Sequence, residues 1–188
     1  MRKIFSFIAV SVDGYHADPD HQLDWQNLDE EFNAFSQEQL DEVDTLLLGR
    51  VTYEGMVAFW ATQLGGDYDT GIAATMNGIA KIVVSRTLDT AEWNNTRLIK
   101  ADVEEELTKV KQRTGKDIAI LGSSALTANL MRMGLVDELR LLVNPIVLGA
   151  GQALFRNTDD RIPLRLLRTR TFASGSVLLT YRPEPPDS

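Results

Sequence analysis

Short apolar segments recur along the first two thirds of the chain, and residues typical of turns bound each of them. The segments are rich in leucine or β-branched side chains, and several lack a polar face, which is typical of strands buried on both sides of a sheet. Each predicts one strand. The five segments are residues 4–12, 45–49, 81–85, 96–99 and 118–122.

Helical patterns lie between these segments, as stripes of apolar residues at helical spacing. The stripes are Leu28, Phe32, Phe35 and Val43; Ile72, Met76 and Ile79; Val103, Leu107 and Val110; and Leu126, Leu130 and Met133. Asp102 with Glu105 predicts a capping box at the start of the third helix. For the fourth, Ser123 or Ser124 is the predicted N-cap and Gly134 the predicted C-cap.

Strands that alternate with helices favour an α/β fold with parallel crossovers. The pattern changes after Gly134, where residues 138–145 alternate with period two and two later strands flank a turn at residues 173–176. The sheet should therefore end in an antiparallel hairpin. Without a linker or repeat, we predict one domain over residues 1–182 and a disordered tail at 183–188.

The composition narrows the function classes. The 188 residues are 44% hydrophobic and 24% charged, with a net charge of −8, which argues against a general nucleic-acid binder. The chain has no cysteine, so disulfides, thiolate metal sites and a cysteine nucleophile are excluded, and a cytoplasmic location is expected. No segment reaches the roughly 18 apolar residues of a membrane span, and we interpret the apolar N-terminus as a strand rather than a signal peptide.

Three of the predicted strands end in residues suited to phosphate. They are Gly49, Arg50 and Thr52; Ser85 and Arg86; and Gly122, Ser123 and Ser124. Helix N-termini with hydroxyls favour anions, and guanidinium groups match phosphate geometry. Each residue alone is commonly a cap or a solvated charge, but a parallel sheet brings its strand ends to one edge. Two helix starts and two arginines indicate a dinucleotide with an extra 2′-phosphate, which is NADPH.

The familiar nucleotide motifs are absent. Neither G-x-G-x-x-G nor G-x-x-x-x-G-K-[ST] occurs, and the sequence GAG at 149–151 is interpreted as a tight turn or bulge.

The sequences LLLGRVTYE, KIVVSR, AILGSSALTANLM and GLVDELRLLVNPIVLGAGQALF together resemble the dihydrofolate-reductase-like superfamily. The closer resemblance is to the reductase domain of the bifunctional deaminase–reductase of riboflavin biosynthesis. It implies a three-layer fold with a mostly parallel eight-strand sheet, NADPH as hydride donor, and a homodimer. The apolar stretch 139–151 also favours a dimer.

The resemblance also implies roles for the strand-end residues. Gly49, Arg50 and Thr52 would meet the adenosine-side phosphates, and Ser85 and Arg86 the 2′-phosphate. Gly122, Ser123 and Ser124 would hold the pyrophosphate, and the backbone near Ala9 and Val10 the nicotinamide amide. Two sequences depart from the family: TYEGMVAF lacks an aspartate and a proline, and GSSA replaces a double glycine.

The predicted substrate is a pyrimidine-like or pterin-like heterocycle. Glu31 is the candidate proton source, although acids in a first helical turn commonly complement the helix dipole. Trp25 and Phe35 are candidates for the substrate pocket or for the core. The segment 16–25 holds both histidines but has no metal-ligand spacing, so we predict a solvated loop and no metal. The alternatives are a dihydrofolate reductase and a non-catalytic nucleotide-binding protein.

Overall fold

The structure is a computed structural model that describes residues 1–60, 70–156 and 161–184. The strands are β1 (Ile4–Ser11), β2 (Tyr15–Ala17), β3 (Val43–Gly49), β4 (Ala80–Val84), β5 (Thr96–Ile99), β6 (Asp117–Leu121), β7 (Glu138–Asn144), β8 (Gln152–Ala153), β9 (Leu164–Thr171) and β10 (Val177–Pro183). The helices are α1 (Glu30–Asp41), α2 (Arg50–Trp60), α3 (Thr70–Gly78), α4 (Val103–Gln112) and α5 (Ser124–Arg132).

Eight strands form one sheet in the order β5-β4-β3-β6-β1-β7-β10-β9. The pairs from β5 to β7 are parallel, and β10 is antiparallel to both β7 and β9. The predicted mostly parallel sheet with an antiparallel C-terminal hairpin is confirmed. The sequence patterns did not predict the second, two-stranded sheet of β2 and β8, because its strands are only three and two residues long.

Helices cover both faces of the sheet, which explains why the central strands lack a polar face. Leu47 packs in a cluster with α4 and α5, while Leu46 and Leu48 pack in a cluster with α2 and α3. All three leucines are fully buried. Successive residues of one strand thus pack against helices on opposite faces of the sheet, which gives three layers: helices, sheet and helices.

The first predicted helical stripe was wrong at both ends. Asp29 caps α1 by accepting a hydrogen bond from Phe32 N (2.8 Å), so Leu28 lies before the helix and is 54% exposed. Val43 is the first residue of β3. Capping chemistry, rather than apolar spacing, therefore sets the start of this helix.

The predicted capping box at Asp102 and Glu105 was also wrong. Asp102 is the N-cap of α4, but its backbone is left-handed (φ 51°, ψ 39°) and its side chain makes no capping hydrogen bond. A capping aspartate needs an extended backbone to reach the amides of the first turn, and this conformation removes that reach.

Two further boundaries differ slightly from the predictions. The C-cap of α5 is Met133, and Gly134 follows it with φ 67°, the left-handed conformation that ends many helices. At the C-terminus, Pro183 still belongs to β10, and Glu184 N donates to Pro163 O (2.9 Å). The rest of the predicted tail, residues 185–188, lies outside the described residues.

Strand β7 explains the first half of the apolar stretch 139–151 without a second subunit. It lies between β1 and β10, and Leu139 and Leu142 are buried in two different core clusters. The second half follows β7 and includes Val147, which is 69% exposed. The homodimer stays a prediction.

Candidate functional site

The carboxyl ends of three neighbouring strands bring the predicted phosphate-binding residues to one edge of the sheet. Strands β4, β3 and β6 are adjacent and parallel, and their last residues lie at the same edge. Gly49 with Arg50, Ser85 with Arg86, and the sequence 122–124 follow these ends directly. The structure thus assembles residues that are up to 75 positions apart in the chain.

Ser123 joins two of these strand ends. Its Oγ accepts a hydrogen bond from Gly49 N (3.0 Å), and Ser123 is buried. Ser123 is the N-cap residue of α5, but its hydroxyl does not cap the helix. Instead it ties the end of β3 to the beginning of α5 and does not occupy the first-turn amides of α5, of which Ser124 N donates to Gly122 O (3.1 Å).

Gly122 leaves the space in front of α5 open. Its φ of 66° is the left-handed conformation that favours glycine, and the residue is exposed. A methyl group at this position would meet only Thr52 Cγ2, at 3.9 Å. Gly122 and Thr52 therefore leave room beside the N-terminus of α5 for an anion to approach the backbone.

A cavity of about 950 Å³ lies beside this edge, between the ends of β3 and β4 and the helices α4 and α5. Its lining includes Gly49, Arg50, Ser85 and Arg86. The opposite wall carries residues of both charge signs, among them Lys100, Asp102, Glu104, Glu105 and Lys109.

The two arginines of the cavity differ in their partners. Arg50 Nη1 donates to Glu54 Oε2 (2.8 Å), one turn along α2. Arg86 is exposed, and within the described residues it makes no ion pair or hydrogen bond. Ser85 Oγ accepts from Leu88 N (3.0 Å) and Thr87 N (3.2 Å), so this hydroxyl shapes the turn that presents Arg86.

Strand β1 continues past the end of its neighbour β6. The last paired residues are Phe7 and Leu121, and the last bond on this side joins Gly122 N to Phe7 O (3.0 Å). Ala9 and Val10 remain paired with β7 on their other side, at Leu142 and Val143. The β6-facing side of β1 at Ala9 and Val10 is therefore a strand edge next to the strand-end residues.

The residues predicted to handle the substrate lie elsewhere. Glu31 Oε2 accepts from Ala173 N (2.8 Å), and its Oε1 lies 3.8 Å from Arg170 Nη2. Phe35 is buried between two other rings, with centroids 5.7 Å from Phe7 and 5.5 Å from Phe172.

Trp25 is half-buried and donates from Nε1 to Gln22 O (3.1 Å). Neither Glu31, Phe35 nor Trp25 lines the cavity. Their assignment stays a prediction, and the contacts observed for Glu31 and Phe35 serve the packing of α1.

Two polar residues of the site were missed by the sequence reasoning. His16 Nε2 lies 3.0 Å from Ser124 Oγ, and the buried Asn144 accepts from Asn27 N (3.1 Å) and Ser176 Oγ (3.3 Å) through Oδ1. Asn144 thereby holds the loop before α1 and the C-terminal hairpin at the end of β7. Asn144 could have been found from the sequence, because it is a polar residue at the end of an apolar strand. Nothing in the sequence connected His16 with Ser124.

The loop after β1 is fixed against the segment that follows β7. Asp13 accepts from Leu148 N (3.1 Å) and Gly149 N (2.8 Å), and hydrogen bonds, first that from Ser11, hold the pKa of Asp13 below its usual value. Gly151 lies so close to Ala17 O that a Cβ would come within 2.3 Å of it. These contacts place β2, and His16 with it, beside α5.

In the described ranges, no three His, Cys, Asp or Glu side chains are grouped as a metal site would require. Among the helices described, none has the length and apolar character to cross a membrane.

Comparison with known proteins agrees with this architecture. The uncharacterized protein YyaP of Bacillus subtilis (strain 168) is 33% identical over 182 residues, which cover 96% of this chain and 94% of the relative. A diaminohydroxyphosphoribosylaminopyrimidine deaminase/5-amino-6-(5-phosphoribosylamino)uracil reductase of Thermotoga maritima superposes with a TM-score of 0.67 at 14% identity. The alignment covers 97% of this chain and 56% of that longer one.

A dihydrofolate reductase of Enterococcus faecalis, solved in complex with NADP(H), superposes with a TM-score of 0.61 at 18% identity over 97% of both chains. At these identities the two structures show the fold, and they confirm the predicted dihydrofolate-reductase-like class. Residues 2–178 match the RibD C-terminal domain family, and the chain belongs to that family.

Proposed function

We propose that the protein is an NADPH-dependent reductase that transfers a hydride to a pyrimidine-like or pterin-like heterocycle. The observation that carries the proposal is the cavity at the strand ends, whose lining includes both Arg50 and Arg86. Gly122 does not line this cavity, but it follows the end of β6, the strand next to β3. The phosphates of a dinucleotide can bind to guanidinium groups and to the amides at a helix N-terminus. This edge of the sheet has both kinds of group.

The residues present fit the cofactor part by part. Arg86, whose guanidinium has no partner among the described residues, is available for a 2′-phosphate, and Arg50 can share its charge between Glu54 and a phosphate. The amides of the first turn of α5 can bind the pyrophosphate. The edge of β1 near Ala9 and Val10, which β6 does not cover, can pair with a carboxamide as a neighbouring strand would, although both residues are buried in the free protein.

The bound nicotinamide would supply the hydride, and the chain must position the acceptor and deliver a proton. Reduction of a C=N or C=O bond places the hydride on carbon and a proton on nitrogen or oxygen. Glu31 is our candidate for that proton; to deliver it, Oε1 would have to leave Arg170 Nη2 (3.8 Å), while Oε2 stays on Ala173 N.

Two other functions remain as alternatives. The dihydrofolate reductase fold is shared, so dihydrofolate is a substrate to test. A non-catalytic nucleotide-binding protein would keep the strand-end residues and lack turnover.

The experiment follows NADPH oxidation with a panel of substrates that includes the phosphoribosylaminouracil and dihydrofolate. Oxidation with the phosphorylated aminouracil alone supports the proposal, and oxidation with dihydrofolate alone supports the first alternative. NADPH binding without turnover on any compound supports the second. Glu31→Gln, compared with Glu30→Gln at the neighbouring exposed position, tests the proton source.

We also propose that the protein forms a homodimer through β9. Among the strands that the structure describes, this edge strand pairs only with β10, and Leu164, Leu166 and Leu167 on it are 36–52% exposed. A second copy would bury them. Sedimentation should show a dimer for the wild type and a monomer for Leu166→Lys, and a monomeric wild type at micromolar concentration would refute this.

A further inference from the structure

His16 and Ser124 meet where the proposed pyrophosphate site begins. His16 lies on β2 and Ser124 is the first residue of α5, yet His16 Nε2 is 3.0 Å from Ser124 Oγ. The pairing of β2 with β8 and the close approach of Gly151 to Ala17 fix the position of β2. The imidazole is therefore held next to a hydroxyl that the proposed function assigns to the cofactor.

Two basic residues act on His16. His21 comes from the loop after β2, and Arg156 comes from the segment after β8. Asp18, two residues along the chain, accepts from Gln22 N (2.7 Å) within its own loop. Burial first, and then the charges of His21 and Arg156, lower the pKa of His16, so the imidazole is neutral at pH 7.

The tautomer and the protonation state of His16 together decide where the Ser124 hydroxyl proton points. A neutral imidazole with a bare Nε2 accepts from the Ser124 O–H, which turns that proton away from the α5 site. An imidazole with a proton on Nε2 donates to Ser124 Oγ, and the hydroxyl proton is then free for another acceptor. An imidazolium always has this second arrangement.

We propose that His16 is a positioning residue for the cofactor's pyrophosphate, which it serves through Ser124. When the pyrophosphate binds, His16 takes one proton from solvent, its Nε2–H donates to Ser124 Oγ, and the Ser124 hydroxyl donates to a phosphate oxygen. The negative charge of the pyrophosphate favours the imidazolium and so acts against the burial and the nearby charges that lower the pKa of His16 in the free protein. This inference rests on the proposed function, because it requires a dinucleotide at α5.

The consequence is that dinucleotide affinity depends on pH in one direction. Binding takes up a proton wherever His16 is neutral in the free protein and charged in the complex. The Kd should therefore rise with pH across that interval, by up to about tenfold per pH unit for one linked proton.

Calorimetry of the full chain between pH 6 and pH 8 tests this. NADH is the first probe, because the 2′-phosphate of NADPH itself titrates near pH 6. NADPH follows, and the comparison of each variant with the wild type cancels the titration of the ligand. The binding enthalpy measured in buffers of different ionisation enthalpy gives the number of protons taken up on binding.

Three variants separate the roles. His16→Gln places a permanent amide donor on Ser124, so binding should be retained at pH 8 with no pH slope and no proton uptake. Ser124→Ala should lose the slope and bind more weakly at every pH. His21→Gln removes the other histidine and should keep the slope.

Proton NMR gives a direct readout, because the chain has only two histidines. The His16 signal should titrate at a higher pH in the complex than in the free protein, and its absence from His16→Gln assigns it. Thermal unfolding of each variant verifies that it is folded.

The outcomes distinguish the two proposals. Binding of neither nucleotide refutes the proposed function itself. Binding with a pH slope that persists in His16→Gln, or that only His21→Gln removes, overturns the role of His16 and leaves the proposed function standing.

Discussion

Ser123 Oγ accepts a hydrogen bond from Gly49 N at 3.0 Å and so connects the end of β3 to the beginning of α5. The two residues are 74 positions apart, and both belong to the proposed cofactor site. This bond fixes the distance between the arginine-bearing end of β3 and the helix N-terminus, which a dinucleotide would have to span.

Ser123→Ala should therefore weaken both the fold and the site. Removal of the hydroxyl leaves the Gly49 amide without its partner in a partly buried position, at a cost of about 1–2 kcal/mol in the free energy of unfolding. Urea unfolding measures this cost. Ser124→Ala is the control, because it leaves the Gly49 bond in place and should lower stability less; equal losses in both variants would contradict the assignment.

Gly122 and Gly134 form a matched pair for testing the open surface at α5. Both have left-handed backbones, at φ 66° and 67°, and an added methyl group would clash with nothing at either position. Alanine at either should cost about 1–2 kcal/mol of stability. Only Gly122→Ala should also weaken NADPH binding in calorimetry, since its methyl group would occupy the ligand's approach; equal binding by both variants would argue against a pyrophosphate here.

Lys81 should give the stability an unusual dependence on alkaline pH. The residue is 1% exposed, and Nζ donates to three backbone carbonyls, of Asn77 (3.3 Å), Ile79 (2.8 Å) and Asn94 (3.1 Å). Burial lowers its pKa to about 8 from the usual 10.5. Between these two values the unfolded chain binds more protons than the folded one, so this residue makes the folded state more stable as pH rises from 8 to 10.5.

Lys81→Met isolates this effect, because all other titrating groups are common to the two proteins. The variant should be less stable overall, since the three carbonyls lose their donor. The difference in unfolding free energy between wild type and Lys81→Met, measured by urea titration at several pH values, should grow in favour of the wild type above pH 8. Parallel pH curves would show that the pKa is not lowered.

A buried charge cluster joins α1 to the C-terminal half of the sheet. Arg140 Nη2 lies 2.7 Å from Glu42 Oε2 and 3.3 Å from Glu138 Oε2. Burial alone would raise the pKa of Glu138, but the charges of Arg140, Arg168 and Lys3 outweigh it and hold the pKa below its usual value. The carboxylate is therefore stabilised as long as its cations are present.

Arg140→Met should cost about 3–5 kcal/mol of unfolding free energy, because it leaves Glu138 buried with weaker partners. A double variant, Glu138→Leu with Arg140→Met, should recover most of that loss, since a buried ion pair replaced by apolar side chains of similar size is often neutral. Chemical denaturation compares the two. A double variant less stable than Arg140→Met would mean that Glu138 stabilises the fold independently of Arg140.

The sequence predicted the sheet well because each central strand is a short run of apolar residues, which the sequence shows directly. Leu46, Leu47 and Leu48 are consecutive and fully buried, and only a strand between two layers of helices explains such a run. The strand-end residues followed from topology, since parallel strands share an edge. Helix boundaries were less accurate, because Asp29 and Asp102 have the same chemistry but different backbone conformations.

Contacts between distant segments were beyond sequence reasoning. His16 and Ser124 are 108 positions apart and meet only because β2 pairs with β8, two strands too short to show a period. Glu31 illustrates the opposite case. Its place in α1 was predictable, but its hydrogen bond to Ala173 depends on where the C-terminal hairpin lies.

The most direct test of the central claim is calorimetry of NADPH and NADH with three proteins: the wild type, the double variant Arg50→Ala with Arg86→Ala, and the control Arg113→Ala. Arg113 is an exposed arginine at the far end of α4, away from the cavity. NADPH should bind the wild type and Arg113→Ala more tightly than NADH, and the double variant should lose this preference. If neither nucleotide binds, or if the preference survives without both arginines, the strand ends do not hold the cofactor's phosphates.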